Sequence, residues 1–251
     1  MSSSPVSVAS NSDAKPSRPR IVDPKAVPVR GTDSHLPPVL PQQLTVQALR
    51  ARFAQAGEWA PEIPGDGQHQ DRAPAPASVL VPLVQRDEAL HVLLTRRTDH
   101  LHDHAGQISF PGGRQEPEDE DEVATALRET EEEIGLARHH VEVLGRLPVY
   151  TTVTRFVVTP VVALVRPPFE LRLDAFEVAE AFEVPLAFLM NPAHHQRHLF
   201  EAAGVARQFL SMPWHAPSPQ GEAMREHFIW GATAAMLRNL YTFLSRPHVQ
   251  T

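Results

Sequence analysis

The chain of 251 residues contains no cysteine, which removes disulfides, thiolate nucleophiles and zinc–thiolate sites from consideration. It also lacks any apolar run near the roughly 18 residues that a membrane-spanning helix requires. Its first residues, Met1-Ser2-Ser3-Ser4-Pro5, lack the apolar stretch of a secretory signal. No long lysine or arginine stripe is present and the formal net charge is −7, so a nucleic-acid-binding surface is not expected. What remains is a protein expected to be cytoplasmic, touching neither membrane nor nucleic acid. At this length it can bury a sizeable core, as one domain plus an extension.

Aromatic residues are absent from residues 1–41, which instead carry Pro5, Pro16, Pro19, Pro24, Pro28, Pro37, Pro38 and Pro41. Such a segment cannot bury enough apolar surface to offset its ordering entropy. It is therefore expected to be a disordered or loosely attached arm, removable without loss of stability. Val46, Leu49 and Phe53 predict a short helix over 45–56, and 57–76 reads as a Gly/Pro/Asp-rich loop. The core is expected over 77–245, with 246–251 as a tail. Within it, 78–84 and 90–95 read as a β-hairpin, and 141–145 and 157–165 as strands. Pro160 demotes the last to a bulged or edge strand. Residues 194–220 are expected to be irregular or a hairpin, and Ala234, Leu237, Tyr241 and Leu244 share one helical face.

Residues 110–136, FPGGRQEPEDEDEVATALRETEEEIGL, organise the rest. A Pro-Gly-Gly turn leads through an acidic loop into a helix ending at Ile134 and Gly135. At about 100° per residue, Val123, Leu127, Thr130 and Ile134 fall within about 60° of one another, a stripe suited to a core. Glu129, Glu132 and Glu133 lie on the other side, three and four residues apart, and are expected to face away from that core. Like charges at such spacing repel by roughly 3 kcal/mol per pair at an effective dielectric of 20. The ordinary reading of a Glu run is a solvated acidic face. The Gly-Gly turn and Arg128 beside the cluster point instead to a hard divalent cation, which prefers carboxylate oxygens and shares its shell with substrate phosphates.

Residues 128–136, RETEEEIGL, resemble the second half of the Nudix box, G-x5-E-x7-R-E-U-x-E-E-x-G-U. Counted from Gly113, the acid at the sixth following position is Asp119, in place of the box's first Glu, and one extra residue separates it from Arg128. Both departures belong to the family's coenzyme A pyrophosphatase branch. The resemblance extends upstream, where Leu93, Leu94, Thr95, Arg97, Gly106, Phe110, Pro111, Gly112 and Gly113 match L-L-T-x-R-S/A-x3-R-x3-G-x3-F-P-G-G. Thr98 replaces Ser or Ala, and His102 replaces Arg. Histidine is only partly charged near pH 7 and lacks the guanidinium fork, so any phosphate contact there would be weaker. The alternating His100, His102 and His104 are read as surface or packing residues rather than a metal site. Downstream, 176–186 resembles D-E-V-x3-F-x-V-P-L, with Glu177 as the matching acid. The Ile-Trp-Gly-Ala-Thr-Ala run from Ile229 resembles the end of the branch.

The resemblance implies a Nudix-type α/β/α sandwich with a mixed β-sheet, following the N-terminal arm. It implies Mg²⁺ or Mn²⁺ held by Glu129, Glu132 and Glu133, with Gly113 supplying a carbonyl and Asp119 either a further ligand or a partner to Arg128. Arg128 is expected to orient carboxylates through a salt bridge. Catalytic work falls to Glu132, Glu133, Arg128 and Glu177, although a Glu beside a helix N-terminus explains Glu177 equally well. Arg97, His102, Gly112 and Gly113 are expected to meet substrate. The implied reaction is hydrolysis of a diphosphate in a small nucleotide, coenzyme A or its derivatives, by a monomer or homodimer. A pyrophosphatase for another nucleoside diphosphate derivative is the main alternative, and a Nudix-fold binding module without turnover is the other.

Overall fold

The computed structural model describes residues 21–67, 74–87, 89–101, 105–202, 204–217, 221 and 224–246. In chain order the first half comprises β1 (Val29–Thr32), α1 (Val46–Ala54), β2 (Ala75–Arg86), β3 (Ala89–Arg97), β4 (Ile108–Ser109), β5 (Gly112–Arg114) and α2 (Glu122–Ile134). The second half comprises β6 (Val141–Arg146), β7 (Tyr150–Thr151), β8 (Phe156–Val165), β9 (Val178–Pro185), α3 (Leu186–Leu189), β10 (Gln196–Ala202), β11 (Val205–Pro217), β12 (Met224–Trp230) and α4 (Gly231–Ser245).

The apolar runs of β2 and β3 fold back on each other as an antiparallel hairpin, Leu83 opposite Val92. β2 then pairs in parallel with β8 from Ala75↔Phe156 to Val84↔Val165, and β6 pairs antiparallel on the far side of β8. With β4, β5, β7 and β9 this forms an eight-stranded mixed sheet. Pro160 therefore sits in an interior strand, not at an edge. Its carbonyl accepts from the Leu147 N–H, and in a strand the N–H and C=O of one residue point the same way. The missing donor thus faces the interval where β6 has ended at Arg146↔Val161 and β7 has not begun at Tyr150↔Val158.

Alternation along β3 builds the two faces. Leu93 packs with Val84, Ile134 and Val178 under α2, beside the Leu80, Ala126, Val161 and Ala163 cluster. Val92 and Leu94 join the larger core on the opposite face, with Leu49 and Phe53 of α1 and Leu237 and Leu240 of α4. There β1, β10, β11 and β12 form a second, antiparallel sheet. Of the two readings for 194–220, irregular or a hairpin, β10 and β11 form the hairpin. Phe228, Ile229 and Trp230 end β12 rather than starting the last helix. Thr45 caps α1, its hydroxyl accepting from the Ala48 N–H.

The loose arm expected over 1–41 does not hold for its second half, while 1–20 lie outside the described residues. β1 pairs with β10, Val29 opposite His198, and Val27, Val39 and Leu44 are buried. The anchor is polar. Asp33, 2 % exposed, lies 2.6 Å from Arg197 Nε and 3.0 Å from Arg238 Nη1. Arg238, equally buried, also meets Glu62 at 2.7 Å. It donates to His195 Nδ1 at 3.1 Å, and the other ring nitrogen, His195 Nε2, donates to the Leu189 carbonyl at 2.7 Å. Composition missed this because a single buried carboxylate, not apolar content, ties the segment down.

Removing one member of a buried ion group leaves its partners charged and dry, at about 3–5 kcal/mol. Asp33→Ala should therefore lower the melting temperature by about 10 °C, since a chain of this size shifts roughly 2–4 °C per kcal/mol. An unchanged midpoint in a calorimetric scan would show that the segment is not anchored through Asp33.

Burial, aided by the Arg238 charge, pushes the His195 imidazole down to about 4. The unfolded chain takes up this proton near pH 6.5 and the folded chain does not. Stability is thus complete above pH 6.5 and is lost as pH falls from 6.5 toward 4. Unfolding free energies from urea titrations at pH 7 and pH 5 should differ by about 2 kcal/mol on this account, and a flat profile over that window would contradict it.

Candidate active site

The Gly-Gly turn sets the floor of the site. Gly112 has φ of 150°, and a Cβ there would stand 2.3 Å from the Ser78 carbonyl oxygen, so only glycine lets β5 approach β2 this closely. Its N–H donates to Glu133 Oε2 at 3.1 Å. A Cβ on Gly113 would stand 2.4 Å from Glu129 Cδ, so that carboxylate rests against bare backbone.

α2 begins at its N-cap Asp121, which accepts from the Ala124 N–H at 2.8 Å. It ends at Gly135, whose φ of 68° is left-handed and whose N–H bonds the Glu131 carbonyl. Its buried residues are Thr125, Ala126, Thr130, Glu133 and Ile134, centred roughly 70° round from the expected stripe. Glu133 is consequently 7 % exposed, not turned away from the protein. Two surfaces cover the helix, the sheet on one side and the β5 turn on the other. Burial pushes the Glu133 carboxyl up to about 7, opposed by the Gly112 N–H and Arg97, and Glu177 and Glu129 add to the rise. Glu129 is also raised, first by burial and then, against the pull of Arg128, by Glu132 and Glu177.

Arg128 is the clamp. Its Nε and Nη2 make the two-pronged bond to Asp119 at 2.9 and 2.8 Å, its Nη1 reaches Glu129 at 3.1 Å and Glu132 at 3.0 Å, and Nη2 holds the Arg114 carbonyl at 3.1 Å. Asp119 also accepts from the Glu116 N–H. Both of its oxygens thus meet donors, and the partnership with Arg128, one of the two readings the sequence offered, is formed. The Arg128 hydrogen bond holds its carboxyl well below the usual range.

Across the cleft, Arg97 Nη1 lies 3.7 Å from Glu133 Oε1 and 3.7 Å from Glu177 Oε2. Glu177 precedes β9 and starts no helix, so the helix-dipole explanation for it falls. Thr98, not singled out from the sequence as a site residue, pins this acid: its N–H donates to the Glu177 carbonyl at 2.9 Å and its hydroxyl to the Phe176 carbonyl at 2.8 Å. The family pattern gave no firm signal, since it admits Ala at 98, which cannot make the second bond. His102 lies outside the described residues.

Among the described residues, no three acids or imidazoles converge as a ligand shell. Arg128 draws Glu129 and Glu132 together, while the Gly112 N–H holds Glu133. The donor set nonetheless fits a hard divalent ion. Glu132 and Glu177 raise the proton affinity of Glu129, Glu177 and Glu129 that of Glu133, and Glu132, with its side chain 60 % exposed, can turn inward. A cation reverses that repulsion.

The NUDIX domain model matches residues 74–203. The uncharacterized Nudix hydrolase NudL of Escherichia coli K12 is 38 % identical over 165 residues, covering 65 % of this chain and 80 % of that protein. The chain belongs to the Nudix family. NudL of Shigella boydii matches to the same extent. Among solved structures, a MutT/nudix family protein from Enterococcus faecalis is 17 % identical, covering 72 % of this chain and 66 % of that one, with a TM-score of 0.41. The Nudix match ends before β11, so β12 and α4 complete the second sheet and its helix beyond the matched segment.

Two substitutions test the seat of the acids. Gly113→Ala should displace the Glu129 carboxylate and lower kcat by about 10²-fold while the fold stands, the usual cost of a misplaced catalytic group. Glu133→Gln keeps an acceptor for the Gly112 N–H and should lower kcat at least as much, with an unchanged or raised melting temperature in metal-free buffer. Wild-type turnover in either variant at saturating Mg²⁺ would remove that carboxylate from the chemistry.

Proposed function

We propose that the chain is a metal-dependent diphosphatase that hydrolyses coenzyme A or its acyl derivatives to 3′,5′-adenosine bisphosphate and 4′-phosphopantetheine or its acyl form. The observation that carries this reading is the meeting of two sequence signatures at one site. Arg97, from the upstream segment of the coenzyme A branch, stands 3.7 Å from Glu133 of the Nudix helix. The same helix rests on the Gly112–Gly113 turn that ends the upstream segment.

Glu129, Glu132 and Glu133, with the Gly113 carbonyl, would hold Mg²⁺ or Mn²⁺, whose charge when bound neutralises the diphosphate oxygens and acidifies water. The chain's own residues then have separable tasks. Arg128 fixes the acids and, through Asp119 and the Arg114 carbonyl, the loop that frames them. Arg97 supplies a cation between Glu133 and Glu177 that a phosphate oxygen can share. Glu177, 42 % exposed at its side chain, is held by neither Arg128 nor a backbone N–H among the hydrogen bonds described. Its oxygens are thereby left available to accept a proton from water.

A second reading, a pyrophosphatase for another nucleoside diphosphate derivative, is favoured by His102 in place of the branch arginine. A binding module without turnover is disfavoured because all three helix acids are present. Chromatographic detection of the phosphomonoester products after incubation in Mg²⁺ with coenzyme A, acyl-coenzyme A, NADH, ADP-ribose and diadenosine polyphosphates separates them. The expected outcome is a kcat/KM for coenzyme A or its acyl form about tenfold or more above the others. A maximum on ADP-ribose or NADH would establish the second reading, and no turnover on any would establish the third.

A further inference from the structure

Among the described residues one phenylalanine is left standing in water. Phe176 is 65 % exposed, whereas Phe169 and Phe182 pack, half-buried, against the core clusters. Its backbone is not loose. The Phe176 N–H donates to Asp174 Oδ1 at 2.9 Å, its carbonyl accepts from the Thr98 hydroxyl at 2.8 Å, and the next carbonyl accepts from the Thr98 N–H. His100 braces the ring, centroids 4.9 Å apart and planes at 60°. A rigidly mounted, solvent-facing aromatic is a poor surface residue and a good platform.

Its position gives the platform a use. The next residue, Glu177, meets Arg97, and Arg97 meets Glu133, so the residue that carries the ring directly precedes a member of the carboxylate site. Thr98, which anchors the Phe176–Glu177 backbone, directly follows Arg97 on the same strand end. The family pattern D-E-V places an acid where this chain has Phe176. An acid there would add to the negative charge of the site, whereas an aromatic face adds none and accepts any base by stacking.

We propose that Phe176, braced by His100, is a specificity-determining residue that stacks against the nucleobase of the substrate while its diphosphate lies against the Gly112–Gly113 turn and the acids of the Nudix helix. This rests on the reading of the substrate as a nucleoside diphosphate derivative. Because stacking uses a ring face rather than hydrogen-bond donors, it distinguishes base-bearing from base-free diphosphates and only weakly one base from another.

Calorimetric titration of the full chain in Mg²⁺ with ADP and with inorganic diphosphate tests this without requiring turnover. Phe176→Ala should weaken ADP binding between about fivefold and a hundredfold, leave inorganic diphosphate unchanged, and keep the wild-type melting temperature because the ring is exposed. Phe176→Trp should retain ADP affinity. Equal weakening of both ligands would mean that the substitution only disturbs Glu177, and unchanged ADP affinity, or no ADP binding by the wild type, would overturn the proposal. If ADP binding behaves as expected while coenzyme A is not hydrolysed, the substrate reading has failed and the stacking role stands.

Discussion

Repulsion among carboxylates is the constraint around which this site is built. Glu129, Glu132 and Glu133 occupy adjacent turns of one helix, and Glu177 faces them from the start of β9. No such group persists in a folded protein without counter-charge or hydrogen-bond donors. Arg128 provides most of it, with its fork on Asp119 and its remaining nitrogen on Glu129 and Glu132. Because the same guanidinium also holds the Arg114 carbonyl, it ties together the helix, the acidic loop and the strand of the Gly-Gly turn. Glu133 is left to a single N–H and a distant arginine, too little to offset the burial that raises its proton affinity.

The sheet explains why these parts meet. β2 carries β5 on one side at Val79↔Gly112 and the interior strand β8 on the other, so the turn is fixed to the most buried strand pair. The apolar stripe of α2 closes over the same strands through Leu80, Ala126 and Val161. Placing the acids is thus a by-product of burying the helix.

Much of this was legible in the residues. The Gly-Gly turn, the limits of α2, the β2–β3 hairpin and the Arg128 salt bridge follow from glycine, capping residues, alternation and charge. The burial of Glu133 did not, because a helical wheel knows one apolar face and cannot register a second surface made of backbone N–H groups. The interior place of β8 was obscured by Pro160, whose cost depends on which neighbour is missing at that one register. Asp33 and Arg238 lie far apart in sequence, and no local pattern links two isolated charges. Phe176 fell inside a matched motif, where its exposure had no sequence signature.

The pairing of Asp33 with Arg238 also has a consequence for biosynthesis. Asp33 leaves the ribosome about two hundred residues before Arg238, which at about 5–20 residues per second is on the order of 10–40 s. For most of that interval β1 has no β10 to pair with, and until its end Val39 and Leu44 lack the α4 that completes their core. The nascent chain therefore carries an unpaired strand until β10 is made and uncovered apolar residues until its last helix emerges. Vectorial folding cannot finish the second sheet early, because its last strand, β12, lies next to the C-terminal helix.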